Sequence, residues 1–331
     1  MGRTSLVLSV PLWVTAVLAS PPLTRFESTQ PHMGTTARVV LYADTPERAE
    51  RAAAAAFGRI AALDQTLSDY RRDSELSRLT REAIGRPVPV GPDLYRVLAA
   101  AQELARRTDG AFDITVGPLS QLWRRARRQV ELPSDAELAS ARALSQYTLL
   151  TLDPKLHTAS VAQPGMRLDA GGIAKGFAAD EALGVLRAHG ITRALVAMGG
   201  DLAVGDAPPG RESWQIALAG IDPGSQAPGS PIAVRGAGIS TSGDAEQWVE
   251  IAGQRYSHIV NPRTGLGLTG QQSVTVVAGD AMTSDMLATA VSVLGGAEGM
   301  ALVDQTAGAA ALVGTVTNGQ QSWHRSRAWR W

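Results

Sequence analysis

The chain has 331 residues, of which 44% are hydrophobic and 19% are charged, a composition typical of a globular protein that can bury a substantial core. Its 31 lysines and arginines balance its 31 aspartates and glutamates, so no net charge favours binding to nucleic acid or to an anionic membrane. It contains no cysteine, which excludes disulfides, thiolate metal sites, thiol nucleophiles and a lipidated N-terminal cysteine.

The first twenty residues have the pattern of a secretion signal. Arg3 precedes an apolar run over residues 5–19, and small residues followed by Pro21 and Pro22 end the run. The run is too short for a comfortable membrane span. We therefore expect residues 1–20 to be a signal peptide and the protein to be exported in soluble form, to the periplasm. The alternative is an uncleaved N-terminus that tethers the protein to the membrane.

Apolar periodicity and turn residues divide the rest of the chain, from about Met33 onwards, into helices and strands. The predicted helices cover residues 45–67, 93–107, 176–189 and 284–294. The predicted strands cover residues 36–42, 194–198, 214–218, 239–242, 245–251, 256–260, 273–278 and 308–317, with two short strands between 147 and 168. Because these segments do not alternate as regular strand–helix–strand units, we expect an α+β fold with mixed or antiparallel sheets and flanking helices.

Local signals fix some boundaries of these elements. Thr45 is the expected N-cap of the first helix, with Pro46 at its first position. The arginine-rich residues 124–128 predict a solvated helix end and no ligand role. Residues 317–331, which hold several tryptophans and arginines, are expected to be a packed or disordered tail without an assigned function.

The first candidate site is the segment 169–176. It places Asp169 at the end of a strand, Gly171 and Gly172 in a tight turn and Lys175 at the start of a helix. Glycines let backbone groups approach a ligand, and a helix N-terminus favours anions, so this segment could cradle phosphates. It fits neither a Walker A motif nor a dinucleotide fingerprint, and an ordinary strand-to-helix turn also accounts for the glycines.

The second candidate site is the pair Asp285 and Thr289, four residues apart on a predicted helix. This spacing places both side chains on one face of the helix. Their oxygens suit Mg2+, which keeps water ligands and takes phosphate oxygens from a substrate, so that few protein ligands suffice. The alternative is that Asp285 complements the helix N-terminus while Thr289 packs.

The third candidate is His258, which ends a predicted strand and precedes the polar turn 261–265. A histidine in such a position can act as a general base, because its ordinary pKa lies near neutrality. A structural role for a single histidine is the alternative. The Asp- and Gly-containing segments 110–113 and 242–244 could be simple turns.

The order of these segments resembles the ApbE-like family of FAD:protein FMN transferases, over residues 33–316. The segments that carry the resemblance are Met33-Gly34-Thr35, Ser68-Asp69-Tyr70 with Ser74-Glu75-Leu76, Gly110-Ala111-Phe112-Asp113 with Gly117-Pro118-Leu119 and Trp123, residues 169–176 with Asp180, Gly199-Gly200-Asp201, Ser242-Gly243, Ser257-His258-Ile259 with Pro262-Arg263-Thr264-Gly265, and Asp285 with Thr289. Two positions depart from the family pattern: Asn261 stands where an aspartate is usual, and Ala170 stands where a bulkier aliphatic residue is common.

The resemblance implies a fold of the tunnelling-fold type with two closely packed subdomains, FAD in a cleft and Mg2+ near the pyrophosphate of FAD. By matching positions, the residues expected to line the FAD site are Met33, Tyr70, Ala111, Phe112, Asp113, Asp169, Lys175 and Ile259. The metal would be held by the carbonyl of Gly172 and by the side chains of Asp285 and Thr289.

The implied reaction is the Mg2+-dependent transfer of FMN from FAD to a threonine or serine of an acceptor protein, with release of AMP. His258 would remove the hydroxyl proton, and Lys175 would help to neutralise phosphate charge. The asparagine at 261 weakens any role for a carboxylate there but leaves His258 in place. The alternatives are Mg2+-dependent hydrolysis of FAD to FMN and AMP, and a non-catalytic FAD-binding protein.

Overall fold

The structure is a computed structural model that describes residues 22–243 and 247–331. The predicted signal peptide and Asp244 lie outside the described residues, so export stays a prediction. Among the described residues, none of the helices combines the length and the hydrophobicity that a membrane span requires.

The described residues form helices that flank a large sheet and three smaller ones. The helices are α1 (Pro46–Leu67), α2 (Glu75–Glu82), α3 (Pro92–Arg107), α4 (Gly117–Gln129), α5 (Asp135–Ala143), α6 (Ala174–Ala188), α7 (Ala281–Leu294) and α8 (Gly296–Asp304), with a single 3-10 turn at Tyr147–Leu149. The strands are β1 (Thr24–His32), β2 (Thr35–Ala43), β3 (Val88–Pro89), β4 (Leu150–Asp153), β5 (Thr158–Val161), β6 (Ala194–Met198), β7 (Asp201–Val204), β8 (Trp214–Ile216), β9 (Ile232–Val234), β10 (Ala237–Gly243), β11 (Trp248–Ile251), β12 (Gln254–Ser257), β13 (Gln272–Ala278), β14 (Ala310–Thr317) and β15 (Gln320–Arg325).

The main sheet has eight strands in the order β1-β2-β6-β7-β10-β13-β14-β15. Every neighbouring pair in this sheet runs antiparallel. The smaller sheets, β3-β5-β4, β8-β9 and β11-β12, are antiparallel as well. This architecture confirms the predicted α+β class with antiparallel sheets and flanking helices.

The main sheet is covered on both faces. Helices α1, α6 and α7 pack on one face, where Val39 and Val196 join the largest hydrophobic cluster. The other face is covered by the β8–β9 hairpin and by Trp329, which form a second cluster with Val40 and related residues. Since both faces are covered, all five residues of β6 are buried, and its sequence is a continuous apolar run rather than an alternating one.

The two ends of the fold differ from the sequence prediction. Strand β1 lies before Met33 and pairs with β2 along its whole length, through a turn in which Met33 and Gly34 both have positive φ. At the other end, β15 pairs with β14, and the indole N–H of Trp331 donates to the carbonyl of Ala233 at 2.8 Å. The C-terminal residues are therefore packed, which is the first of the two alternatives considered for them.

Helices α2, α5 and α8 were not predicted as elements, and only the arginine-rich end of α4 was predicted. All four helices are short, between eight and thirteen residues, and only α2 and α5 have a side-chain cap at their start. Ser74 caps α2, and Ser134 with Glu137 forms a capping box at α5.

Candidate functional site

The N-termini of α6 and α7 meet, and each is capped by a residue of the other helix. The Asp285 carboxylate of α7 accepts the N–H of Gly176 in α6 at 3.0 Å. In return, the Asp180 carboxylate of α6 accepts the N–H groups of Ala281 and Met282 at 2.9 and 2.8 Å. The N-cap of α7 itself is Asp280, so Asp285 complements the N-terminus of the neighbouring helix and not that of its own.

Glycine at position 176 is required by this close approach. A Cβ at Gly176 would lie 2.2 Å from the Ala281 carbonyl oxygen and 2.8 Å from the Cβ of Asp285. We expect Gly176→Ala to lower the free energy of unfolding by about 1–3 kcal/mol, because the two helices must move apart. Urea unfolding measures this change.

Gly184→Ala is the matched control, because Gly184 lies in the same helix and a Cβ there would meet nothing within 4 Å. This variant should be neutral or stabilising by about 0.5–1 kcal/mol, since alanine is the better helix former. Equal stabilities for the two variants would contradict the inferred close contact.

A lysine and two buried carboxylates lie beside this junction. The Nζ of Lys175 is 2.9 Å from the Oδ2 of Asp201 and 3.5 Å from the Oδ2 of Asp285, and it donates to the Gly171 carbonyl at 3.0 Å. The side chains of the two aspartates are 5% and 3% exposed. Two buried acids thus share one ammonium group, which leaves a net negative charge that a further cation would offset.

The pKa values of these groups reflect that charge balance. Burial and the charge of Asp201 raise the pKa of Asp285 to about 7, although Lys175 acts in the opposite direction. Burial alone would lower the pKa of Lys175, but the two carboxylates raise it overall. Lys175 is therefore positively charged at neutral pH.

Two of the residues predicted to bind a metal lie next to each other. A Cβ at Gly172 would lie 2.9 Å from the Oγ1 of Thr289, so Gly172 packs against the Thr289 side chain too closely for a larger residue. Thr289 follows Asp285 by one turn of α7. In the described parts of the chain, no group of three or more His, Asp or Glu side chains could hold a metal. A site here therefore depends on a carbonyl and a hydroxyl together with carboxylate, and this oxygen set fits Mg2+.

Asp169 connects the Gly171-Gly172 turn to a separate group of residues. One of its oxygens accepts the N–H of Gly171 at 2.8 Å, and the other lies 3.1 Å from an Nη of Arg124. A second Nη of Arg124 is 2.5 Å from the Oδ2 of Asp69, and the guanidinium carbon lies 4.1 Å from the centre of the Tyr70 ring. Tyr70, which is 75% exposed, thus joins the site through Arg124.

The position of Arg124 corrects the prediction that residues 124–128 form a solvated helix end. Its side chain is only 19% exposed, whereas Arg125 and Arg128 are exposed as predicted. Burial and the charge of Asp169 raise the pKa of Asp69 to about 6, against the lowering effect of Arg124. The sequence alone does not distinguish these arginines, because the orientation of α4 against its neighbours decides which of their side chains face inward.

The Ala111-Phe112-Asp113 segment follows α3 and is almost fully buried. One oxygen of Asp113 accepts the N–H and the hydroxyl of Thr115, both at 2.7 Å, and burial raises the pKa of Asp113 to about 6. The segment is tied to the candidate site because the N–H of Asp169 donates to the Ile114 carbonyl at 2.8 Å. Its contact with FAD stays a prediction.

His258 lies just after β12, on an exposed loop that packs against α3 and α4. The guanidinium of Arg263 donates to the carbonyl of Thr108 at 2.9 Å, and the Trp123 indole donates to the carbonyl of Gly265 at 2.7 Å. The side chain of Asn261 accepts the N–H of Arg263 at 2.9 Å, a turn contact that aspartate could also make.

Apart from the buried Ala111-Phe112-Asp113 segment, the predicted residues fall into three groups. Gly172, Lys175, Asp285 and Thr289 lie at the α6–α7 junction, and Asp169 and Tyr70 are joined to it as described. His258 and Ile259 lie on the loop after β12, and Met33 lies in the β1–β2 turn. Sequence reasoning missed Asp201 and Arg124 as site residues, although Asp201 ends the Gly199-Gly200-Asp201 segment that carried part of the resemblance.

Comparison with known proteins gives consistent matches. Residues 33–313 match the model of the ApbE family. The FAD:protein FMN transferase of Vibrio cholerae is 35% identical over 246 residues, which cover 73% of each chain. That of Treponema pallidum is 34% identical over 295 residues, covering 85% of this chain and 82% of the relative. The solved structure of the flavin transferase ApbE from Vibrio cholerae is similar with a TM-score of 0.81 and 30% identity, over 93% of this chain and 98% of that one.

Proposed function

The chain belongs to the ApbE family and is a flavin transferase, and we propose that it moves the FMN half of FAD onto a threonine or serine hydroxyl of an acceptor protein, with AMP as the leaving group. The observation that best supports this proposal is the α6–α7 junction, where two helix N-termini meet beside Lys175 and the buried Asp201 and Asp285. The lysine favours phosphate oxygens, and the carboxylates favour a divalent cation.

In the proposed reaction the acceptor hydroxyl oxygen forms a bond to the FMN phosphorus of FAD. The bond from that phosphorus to the bridging oxygen breaks, AMP leaves with the bridging oxygen, and the hydroxyl proton passes to His258. The product is a phosphoester between FMN and the acceptor. Such a reaction depends mainly on positioning of the two reactants and on neutralisation of phosphate charge. It does not require a nucleophile from the enzyme itself.

Different residues of the chain would have different roles in this reaction. The Gly172 carbonyl, Asp285 and Thr289 would hold Mg2+, which when bound supplies positive charge to the pyrophosphate. Lys175, held by Asp201 and by the Gly171 carbonyl, adds a fixed ammonium group. Tyr70 offers an exposed aromatic surface to a ring of FAD.

The test is incubation of the purified protein with FAD, Mg2+ and a flavoprotein domain that the Vibrio cholerae relative labels in a parallel reaction. A fluorescent acceptor that keeps its flavin after denaturation, together with released AMP, is the expected result, and EDTA should prevent it. Free FMN and AMP without labelling would instead establish FAD hydrolysis. Unchanged FAD bound to the protein would establish a flavin-binding protein without turnover.

A further inference from the structure

We propose that Arg124 is a positioning residue that holds Tyr70 and Asp169 in the arrangement that binds FAD. The proposal deepens the proposed function and rests on it, because FAD is the ligand. Arg124 comes from α4, whereas its partners come from two other parts of the chain, the segment after α1 and the turn before α6.

The first step is the contact between the guanidinium and the Tyr70 ring. The guanidinium carbon lies 4.1 Å from the ring centre, which places the cation over one face of the ring. Tyr70 is nevertheless 75% exposed, so its exposed area lies on the opposite face and the edge. An aromatic ring that is held from one side and open on the other is a ready surface for stacking of a purine or flavin ring.

The second step is the fixation of the guanidinium itself. Asp69 and Asp169 bind two different nitrogens of Arg124, at 2.5 and 3.1 Å. All three side chains are largely shielded from water, with exposures of 16%, 11% and 19% for Asp69, Asp169 and Arg124. A planar guanidinium can satisfy two carboxylates while it lies flat on a ring, which the single ammonium of a lysine cannot do.

The third step links Arg124 to the Gly171-Gly172 turn. The second oxygen of Asp169 accepts the N–H of Gly171 at 2.8 Å, and the carbonyl of Gly171 accepts from Lys175 at 3.0 Å. Arg124 is thus connected to Lys175 through Asp169 and Gly171. Since Arg124 itself lies behind Tyr70 and Asp169, its loss should weaken binding of FAD far more than the chemical step.

The experiment compares Arg124→Ala with Arg125→Ala, a neighbour on the same helix that pairs with Glu137 at the surface. Binding of FAD is measured by quenching of FAD fluorescence, and kcat and KM for FAD are measured in the transfer assay. We expect Arg124→Ala to raise Kd and KM for FAD roughly tenfold with kcat changed by less than about threefold, on the scale of stacking and cation–π contacts. Arg125→Ala should leave all three values as in the wild type.

A double-mutant cycle with Tyr70→Ala separates positioning from a general structural effect. If Arg124 acts through the ring, Arg124→Ala should cost much less FAD affinity in the Tyr70→Ala background than in the wild type. Additive losses, or equal Kd values for the Arg124→Ala and Arg125→Ala proteins, would overturn the proposal.

Two further measurements keep the result interpretable. Thermal unfolding shows whether Arg124→Ala folds, and Arg124→Lys, which keeps the charge and most of the buried stem, replaces it if it does not. FAD affinity at the wild-type level in Arg124→Lys would also overturn the proposal. Absence of transfer by the wild-type protein would count against the proposed function, whereas wild-type transfer with unaltered FAD affinity in the Arg124 variants would reject this inference alone.

Discussion

Asp285→Asn is expected to lower Mg2+-dependent FMN transfer by about a hundredfold or more, because the proposed metal site loses its anionic ligand and metal ions supply several kcal/mol of charge stabilisation. The asparagine oxygen can still accept the N–H of Gly176, so the α6–α7 junction keeps its contact. The rate of acceptor labelling at increasing Mg2+ concentration measures the effect.

The same variant should remain as stable as the wild type or become more stable when metal is removed with EDTA. The folded pKa of Asp285, about 7, lies above its ordinary value of 3.8, so the folded state binds the proton more tightly than the unfolded chain does. The charged carboxylate therefore costs stability that increases as the pH rises from about 4 to about 7. Asparagine removes this cost, and the gain in Tm should be larger at pH 8 than at pH 4.

Asp280→Asn is the matched control on the same helix. Asp280 is the N-cap of α7, and asparagine is an equally good N-cap, so transfer should stay close to the wild-type rate. Full Mg2+-dependent activity in Asp285→Asn would refute the metal assignment.

His258→Ala is expected to lower kcat for transfer by about 10²- to 10⁴-fold, the usual contribution of a general base. The Nδ1 of His258 lies 3.2 Å from the carbonyl of Gln247. When Nδ1 carries the proton and donates to this carbonyl, Nε2 is the nitrogen that can accept a proton from the acceptor hydroxyl. Affinity for FAD should not change, because the proposed base acts on the acceptor and not on the dinucleotide.

His324→Ala serves as the comparison for this prediction. His324 is an exposed residue of β15, on the far edge strand of the main sheet, and its loss should leave kcat unaltered. Single-turnover labelling with saturating FAD gives the rate of the chemical step directly. A His258→Ala protein that labels the acceptor at the wild-type rate would exclude a general-base role.

The elements that carry strong local signals could be predicted from sequence. The first helix begins after Thr45 with Pro46 in its first turn, as predicted, because both residues satisfy the helix start without tertiary contacts. Asp285 and Thr289 lie on one face of α7, because the spacing of four residues fixes their relative position once the helix forms. Gly172 adjoins Thr289, a contact that only the resemblance to a family implied.

The parts that could not be predicted depend on partners distant in sequence. Strand β1 is mostly exposed on both faces and contains Pro31, so it lacks the apolar alternation of a buried strand and is defined by its pairing with β2. Asp201 and Arg124 have ordinary sequence contexts, a turn and a run of arginines. Their importance follows from contacts with residues 26 and 45 positions away, Lys175 and Asp169.

The reciprocal capping of α6 and α7 has a consequence for the dynamics of the site. The amide protons of Gly176, Ala281 and Met282 are each bound by a carboxylate of the opposite helix. Neither helix can fray at its start without releasing a bond of the other, so these amides should exchange with deuterium at a common slow rate, in one cooperative opening. The groups proposed to bind the pyrophosphate would then be held at a fixed spacing between turnovers, and the motion that admits FAD would be confined to the surrounding loops.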